Sequence, residues 1–175
     1  NSAPNVNAGT GGYVLPINTP FTLTGSATDP DGDAMTYCWE EFDLGPAGAP
    51  NSPSGNAPIF RSFDPTSSPS RTFPKLSNII NNSSTIGEIL PSYSRDLNFR
   101  LTVRDNKSGG GGVAFDEMSM TVSGSAGPFL VTYPNSSVII PGNSFVDITW
   151  DVANTNASPI NCSQVNILKL ERCFY

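Results

Sequence analysis

The chain contains no histidine. That excludes Ser-His-Asp and Cys-His nucleophiles, and it removes the imidazole ligands of a catalytic zinc, the H-E-x-x-H helix included. Carboxylate-pair and Ser-Lys chemistry remain formally open, but no constellation of residues favours either. The chain therefore reads as non-catalytic. Charge is scarce as well, at 14% of residues against roughly a quarter in an average domain. Nine Lys and Arg against fifteen Asp and Glu leave a net −6, with no basic patch to neutralise phosphates, so nucleic acid is excluded as a partner. No apolar run approaches the roughly 18 residues of a membrane span. Residues Asn1 to Asn7 are polar and do not read as a signal peptide. Cysteine is sparse and odd in number: Cys38, Cys162 and Cys173 allow one disulfide plus a thiol, or three thiols.

What the 175 residues do contain is 16 glycines, 16 prolines and 10% aromatics. That composition suits many short strands joined by turns and gives little support to long helices. Period-two alternation marks the strands. Phe21 and Leu23 alternate with threonines up to Gly25, and Met35, Tyr37 and Trp39 alternate with Thr36, Cys38 and Glu40. Leu97, Phe99, Leu101 and Val103 form the clearest run, and Met118, Met120 and Val122 follow the turn Asn106 to Gly112. Its four successive glycines read as a loose hairpin connection, since no Lys-Ser/Thr follows to make a phosphate cradle.

Between about 43 and 93 the alternation breaks down. Gly45 to Pro58 carries four prolines and three glycines, which predicts an extended surface loop. Pro65, Pro69, Pro74 and Pro91 limit the rest to a helical turn near Leu76 to Ile80. This segment reads as a long insertion packed over a small sandwich. If so, it covers the outer face that carries Cys38 and buries the thiol. Trp39 and Trp150 both sit in apolar alternation and are expected in the core.

At Gly124 to Pro128 a linker is expected. Beyond it come apolar pairs at Phe129 to Tyr133, Val138 to Ile140, Val146 to Val152 and Val165 to Leu170. Four strands are too few to close an immunoglobulin-like sandwich of about seven. The expected organisation is a unit over 1–126 and a truncated second unit over 127–175, whose open edge needs a cover.

Asp29-Pro30-Asp31-Gly32-Asp33 is the motif with chemistry in it. Alternate carboxylates in a tight turn present hard oxygens to one point, which suits Ca²⁺. An EF-hand does not fit, because Ala34 stands where the loop needs glycine and a strand follows. The same residues serve equally as an Asx-type turn with solvated carboxylates.

The run Gly25 to Trp39, the opening Ala3-Pro4-Asn5-Val6-Asn7-Ala8-Gly9 and the closing Phe99 to Asn106 resemble PKD and cadherin-like β-sandwich modules. A narrower resemblance spans most of the chain. Tyr37-Cys38-Trp39-Glu40-Glu41, Arg71-Thr72-Phe73-Pro74, Gly87-Glu88-Ile89-Leu90-Pro91, Asn98 to Gly112 and Ile148-Thr149-Trp150-Asp151-Val152 look like the non-catalytic region of secreted Bacteroidetes reprolysin-like metallopeptidases. The family's Ser/Thr-Asp-Gly-Gly hairpin is absent after the last strand signal, where Lys169 to Tyr175 stand instead. The resemblance implies an all-β fold, a PKD/Ig-like sandwich with a loop-rich insertion plus a partial Ig-like sandwich. It implies a secreted or cell-surface location and an accessory role beside the catalytic domain of the same parent protein, with contact to protein substrate. Zinc would belong to that domain and not to this chain. Calcium is the cofactor it suggests, with Asp29 and Asp31 as central ligands, Asp105 and Asn1 beside them, and Asp33 turned toward solvent. The competing class is a cell-surface adhesion or carbohydrate-binding module acting on a cell-surface polymer, which exposed aromatics on one sheet face would favour.

Overall fold

The computed structural model describes residues 1–165, and its architecture is almost entirely β. At the centre are β7 (Arg95–Arg104) and β8 (Val113–Ser123), antiparallel from Arg95 opposite Val122 to Arg104 opposite Val113. The edges of this pair carry β5 (Thr36–Glu41), antiparallel to β7, and the short β2 (Val14–Pro16), parallel to β8. The result is a four-stranded sheet in the order β2-β8-β7-β5. The alternation in the sequence decides its inner face: Leu97, Phe99, Leu101 and Val103 are fully buried, with Met118, Met120 and Val122 beside them.

Two antiparallel ribbons supply the opposing layer. One pairs β3 (Phe21–Thr24) with β6 (Ser70–Phe73), and the other pairs β1 (Asn5–Asn7) with β4 (Ser26–Thr28). Gly25 joins β3 to β4 where the chain passes tightly over the sheet; a Cβ there would meet Leu101 Cδ2 at 2.2 Å and the Asn7 carbonyl oxygen at 2.9 Å.

The insertion does more than cover this core. It was expected as loops with one helical turn, and α1 (Leu76–Ile80) is that turn. But β6 lies inside it, and Ile59, Phe60 and Phe73 are core residues. Phe73 stacks on Phe21 with centroids 5.1 Å apart, and Phe60 and Phe99 close the cluster at 5.0 and 4.9 Å from Phe73. Prolines at 69 and 74 bracket the four residues of β6, which explains why no longer alternation announced it. Trp39 is in the core at 2% exposure, with its indole N–H donating to the Pro69 carbonyl.

Residues 127–165 form less than their apolar pattern suggests. Only β9 (Leu130–Tyr133) and β10 (Thr149–Asp151) form, paired with each other and exposed throughout. Val138 to Ile140 is not a strand; it stands between Pro134 and Pro141 and pairs with no strand among the described residues. Trp150 corrects the core expectation: it is 38% exposed, its ring 6.3 Å from that of Phe129, with no second sheet over it among the described residues. The expected strand from Val165 to Leu170 lies, beyond Val165 itself, outside the described residues. The expected linker is anchored: Ala126 is buried, its carbonyl accepts the Ile17 N–H at 3.0 Å, and the Gly124 N–H donates to Ser94 Oγ at 2.8 Å.

Truncating the central ring should reveal how far the insertion belongs to the core. Phe73→Ala is expected to cost about 3–5 kcal/mol, read as a fall in denaturant midpoint. A loss under about 1 kcal/mol, the scale of a surface change, would mean that β6 merely lies on the surface.

Candidate functional site

The acidic turn connects β4 to β5, and its geometry follows from its residues. Proline at the second place and glycine at the fourth favour a type I turn, and the Gly32 N–H donates to the Asp29 carbonyl at 3.2 Å. Asp29 Oδ1 accepts the N–H groups of Asp31 and Asp33 at 3.0 and 2.9 Å. One carboxylate oxygen thereby folds the turn. One oxygen from each of Asp29, Asp31 and Asp33 lies within 4.8 Å of the others. Asp31 is exposed, while Asp29 and Asp33 are half-buried. Two oxygens of the cluster, Asp29 Oδ2 and Asp33 Oδ2, are buried without a hydrogen-bond partner among the described residues.

Asp105 and Asn1, also expected as ligands, are engaged with each other. Asn1 Nδ2 donates to Asp105 Oδ2 at 2.6 Å, and the next residue's N–H, that of Ser2, donates to Asp31 Oδ2 at 2.6 Å. The opening residues thus bind two carboxylates side by side. Asp105 is buried, and the Gly112 N–H donates to both of its oxygens at 2.9 and 2.8 Å. A Cβ on Gly112 would come within 2.8 Å of Asp105 Oδ2 and 2.7 Å of Ala3 Cα. The glycine run makes the expected β7–β8 hairpin connection, open at Gly109 and Gly110 but closely packed against this carboxylate at Gly111 and Gly112. Asp33 is held rather than free in solvent, since Lys107 Nζ donates to its Oδ1 at 2.9 Å. Lys107 carried no signal in the sequence, because its partner lies 74 residues away. Asn106, at φ 55°, completes the corner by donating to the Ala34 carbonyl.

Two further charged groups are buried, and both fasten the insertion. Arg71 donates to Glu88 at 2.6 Å and to the carbonyls of Trp39 and Arg61, with its guanidinium over the rings of Phe63 and Phe73. Arg95 donates to Glu41 at 3.2 Å and to the Ala57 carbonyl at 2.8 Å, and lies 3.6 Å from Asp43. Glu41 in turn accepts the N–H groups of Ile59 and Phe60 at 2.8 and 2.6 Å. Asp43 accepts the Asn98 backbone N–H at 3.0 Å and its side-chain amide. These are structural anchors with no open access. Cys38 is buried under the insertion as expected, donating to the Phe63 carbonyl, and burial pushes its thiol pKa up, the state of an inert thiol. Cys38 and Cys162 are both free, and Cys173 lies outside the described residues.

On the outer sheet face Phe115 is 56% exposed and Phe42 is half-exposed. That is the feature named as favouring a binding module. Several Asn-x-Ser positions occur in the sequence, and of these Asn82, Asn106 and Asn161 adopt positive φ, a turn role that asparagine fills without a glycan.

The buried carboxylates give the stability a pH profile. Burial raises the Glu41 pKa from 4.5 to about 7, against the lowering effect of its two backbone donors, with Asp43 raising it further and Arg95 opposing. The folded chain then holds a proton there that the unfolded chain has released. Stability should fall as pH rises from 4.5 to about 7, by on the order of 3 kcal/mol. Asp105 has the opposite sign. The Lys107 N–H, then the Asn1 amide and Gly112 N–H, hold its carboxyl below 3.8. Its contribution is present above 3.8 and lost as pH falls through the lower folded value. Melting temperature should therefore peak near pH 5, and Glu41→Gln should flatten the alkaline side. A melting temperature that climbs from pH 5 to 7.5 would contradict the Glu41 assignment.

Comparison of the chain with family models, with curated proteins and with solved structures returned no match.

Proposed function

We propose that the chain is the non-catalytic accessory region of a secreted metallopeptidase, built on a PKD-like β-sandwich and the start of an immunoglobulin-like one. One observation supports this reading best. The three sequence segments that resemble a PKD module are far apart in the chain yet pair with one another. The opening segment pairs with the second through Asn5–Asn7 against Ser26–Thr28, and the second pairs with the third through residues 36–39 against 101–104. The role that follows is to space and stabilise a zinc catalytic domain elsewhere in the parent protein, outside the cell, and to contact its protein substrate. The coding sequence beside this region decides the matter. A zinc-binding helix with three histidines upstream is expected, and an array of further β modules with no such helix would overturn the peptidase reading.

Calcium belongs to the same reading. The fit rests on Asp29 Oδ2 and Asp33 Oδ2, hard oxygens that are buried and lack partners. Asp29, Asp31 and Asp33 would hold the ion, with Asp105 and Asn1 supporting the corner from beside it. The ion would offset the repulsion of three close carboxylates, to which Lys107 contributes one positive charge through its contact with Asp33. Extracellular sites have dissociation constants on the order of 10⁻⁴ to 10⁻³ M, and at a hundredfold excess over that constant the gain is about 2.7 kcal/mol. Thermal melts in saturating calcium and in chelator should differ accordingly, and Asp31→Ala should remove the difference. An unchanged melting temperature would make the cluster an ordinary turn.

A further inference from the structure

The outer face of the four-stranded sheet is covered over one half and open over the other. Above β5 the insertion lies on it, with Phe63 taking the Cys38 thiol and Ser62 reaching Glu40. Above β7 and β8 it is open. There it forms a trough of about 750 Å³ between Phe42, where the insertion begins, and the Thr10–Gly12 segment. Asp96, Asn98, Glu117, Ser119 and Thr121 line it. At the Glu117 side the Arg100 guanidinium lies 4.2 Å from the Phe115 ring centre and 4.9 Å from that of Phe42. The same group donates to Glu117 Oε1 at 2.6 Å. Arg100 thus steadies both rings, and Phe115 keeps 56% of its surface exposed.

We propose that this trough binds a neutral polysaccharide. The argument starts from which polar groups are already engaged. Asn98 is taken, its amide by Asp43 and its oxygen by the Ser119 hydroxyl. The Asp96 carboxylate, Glu117 Oε2 and the hydroxyls of Thr10 and Thr121 make no side-chain hydrogen bond among the described residues. The open groups are therefore carboxylate acceptors and hydroxyls that both accept and donate. A chain rich in vicinal hydroxyls brings many O–H donors and needs such acceptors, while the apolar faces of its rings match exposed phenyl groups.

Charge narrows the occupant further. The Asp96 carboxylate, without an ion-pair partner among the described residues, disfavours a uronate, a sulfated glycan or a nucleic acid. Arg100 compensates Glu117, so only one uncompensated negative charge remains for a polycation, and a guanidinium stands in its way. A neutral glycan carries neither penalty. The site lies on the sheet and insertion of this chain alone, so it holds whether or not the parent protein is a peptidase.

Affinity electrophoresis of the whole chain provides the test, in gels containing soluble xylan, mixed-linkage β-glucan or glucomannan, with polygalacturonate and polylysine as charged probes. Retardation by at least one neutral polysaccharide is expected. Phe115→Ala should weaken it about tenfold, the worth of one stacked aromatic. Asp96→Ala should weaken it independently, and Tyr13→Ala, exposed but outside the trough, should leave it unchanged. Thermal melts confirm that each variant folds, and the Asp96 variant carries the test if the Phe115 variant does not. No retardation by any neutral polysaccharide overturns the proposal. So does retardation that survives substitution of both Phe115, beside the trough, and Asp96, within it, and so does binding to polylysine alone, which would assign the trough to a cationic peptide.

Discussion

The buried guanidinium of Arg95 is the joint on which the architecture turns. The insertion can send Ile59 and Phe60 into the core only if their backbone N–H groups find acceptors away from water, since an unpaired buried donor costs about 1–3 kcal/mol. Glu41, at the end of β5, accepts both. That brings a carboxyl group into the interior beside a second one, Asp43, and the charge that the pair carries must be compensated. Arg95, at the first position of β7, faces both carboxylates and takes the Ala57 carbonyl with another nitrogen. Removing one partner of such a group leaves a buried charge exposed to no solvent, typically a loss of 3–5 kcal/mol. Two sheet strands and the insertion meet at this point, and the Phe21–Phe60–Phe73–Phe99 cluster depends on its holding.

Arg71 does the same work at the other end of the insertion. Its contact with Glu88 would be a weak stabiliser on the surface, but here the side chains are nearly or fully buried. The guanidinium lies over two phenyl rings and reaches the carbonyls of β5 and of the insertion, so its planar shape matters as much as its charge. The insertion is therefore fastened by polar groups at both ends and by aromatic packing between them. This is why a proline-broken stretch of about fifty residues with one helical turn can be ordered. It also leaves the second half of the outer sheet face bare.

How much of this could be read from the residues depended on the distance of the deciding contact. Strands β5, β7 and β8 were legible because one face of each is buried, so period two survives in the sequence. Strands β1, β2 and β4 have three residues each, too short for a period, and their pairing is decided by distant partners. Trp39 and Trp150 occupy the same local pattern and have opposite fates, because among the described residues a layer covers one and not the other. At the acidic corner the turn was legible from Asp-Pro-Asp-Gly alone. That Lys107 would hold Asp33, and that Asn1 and Gly112 would hold Asp105, was not, because those partners are set by the closed fold and not by the motif.

The hydrogen bonds of the opening segment carry a consequence for the order of assembly. Asn1 reaches Asp105 across 104 residues, and the Ala8 N–H reaches Asp116 across 108. Strand β2 lies parallel to β8, with Val14 opposite Thr121. The partners at 105, 116 and 121 are all made about a hundred residues after this segment, so the opening strands of the sandwich are among the last to be fixed. Closing such distant pairs makes for slow folding. During synthesis β1 and β3 wait with their apolar residues uncovered, and the scarcity of long hydrophobic runs in this sequence is then a protection against association while they wait.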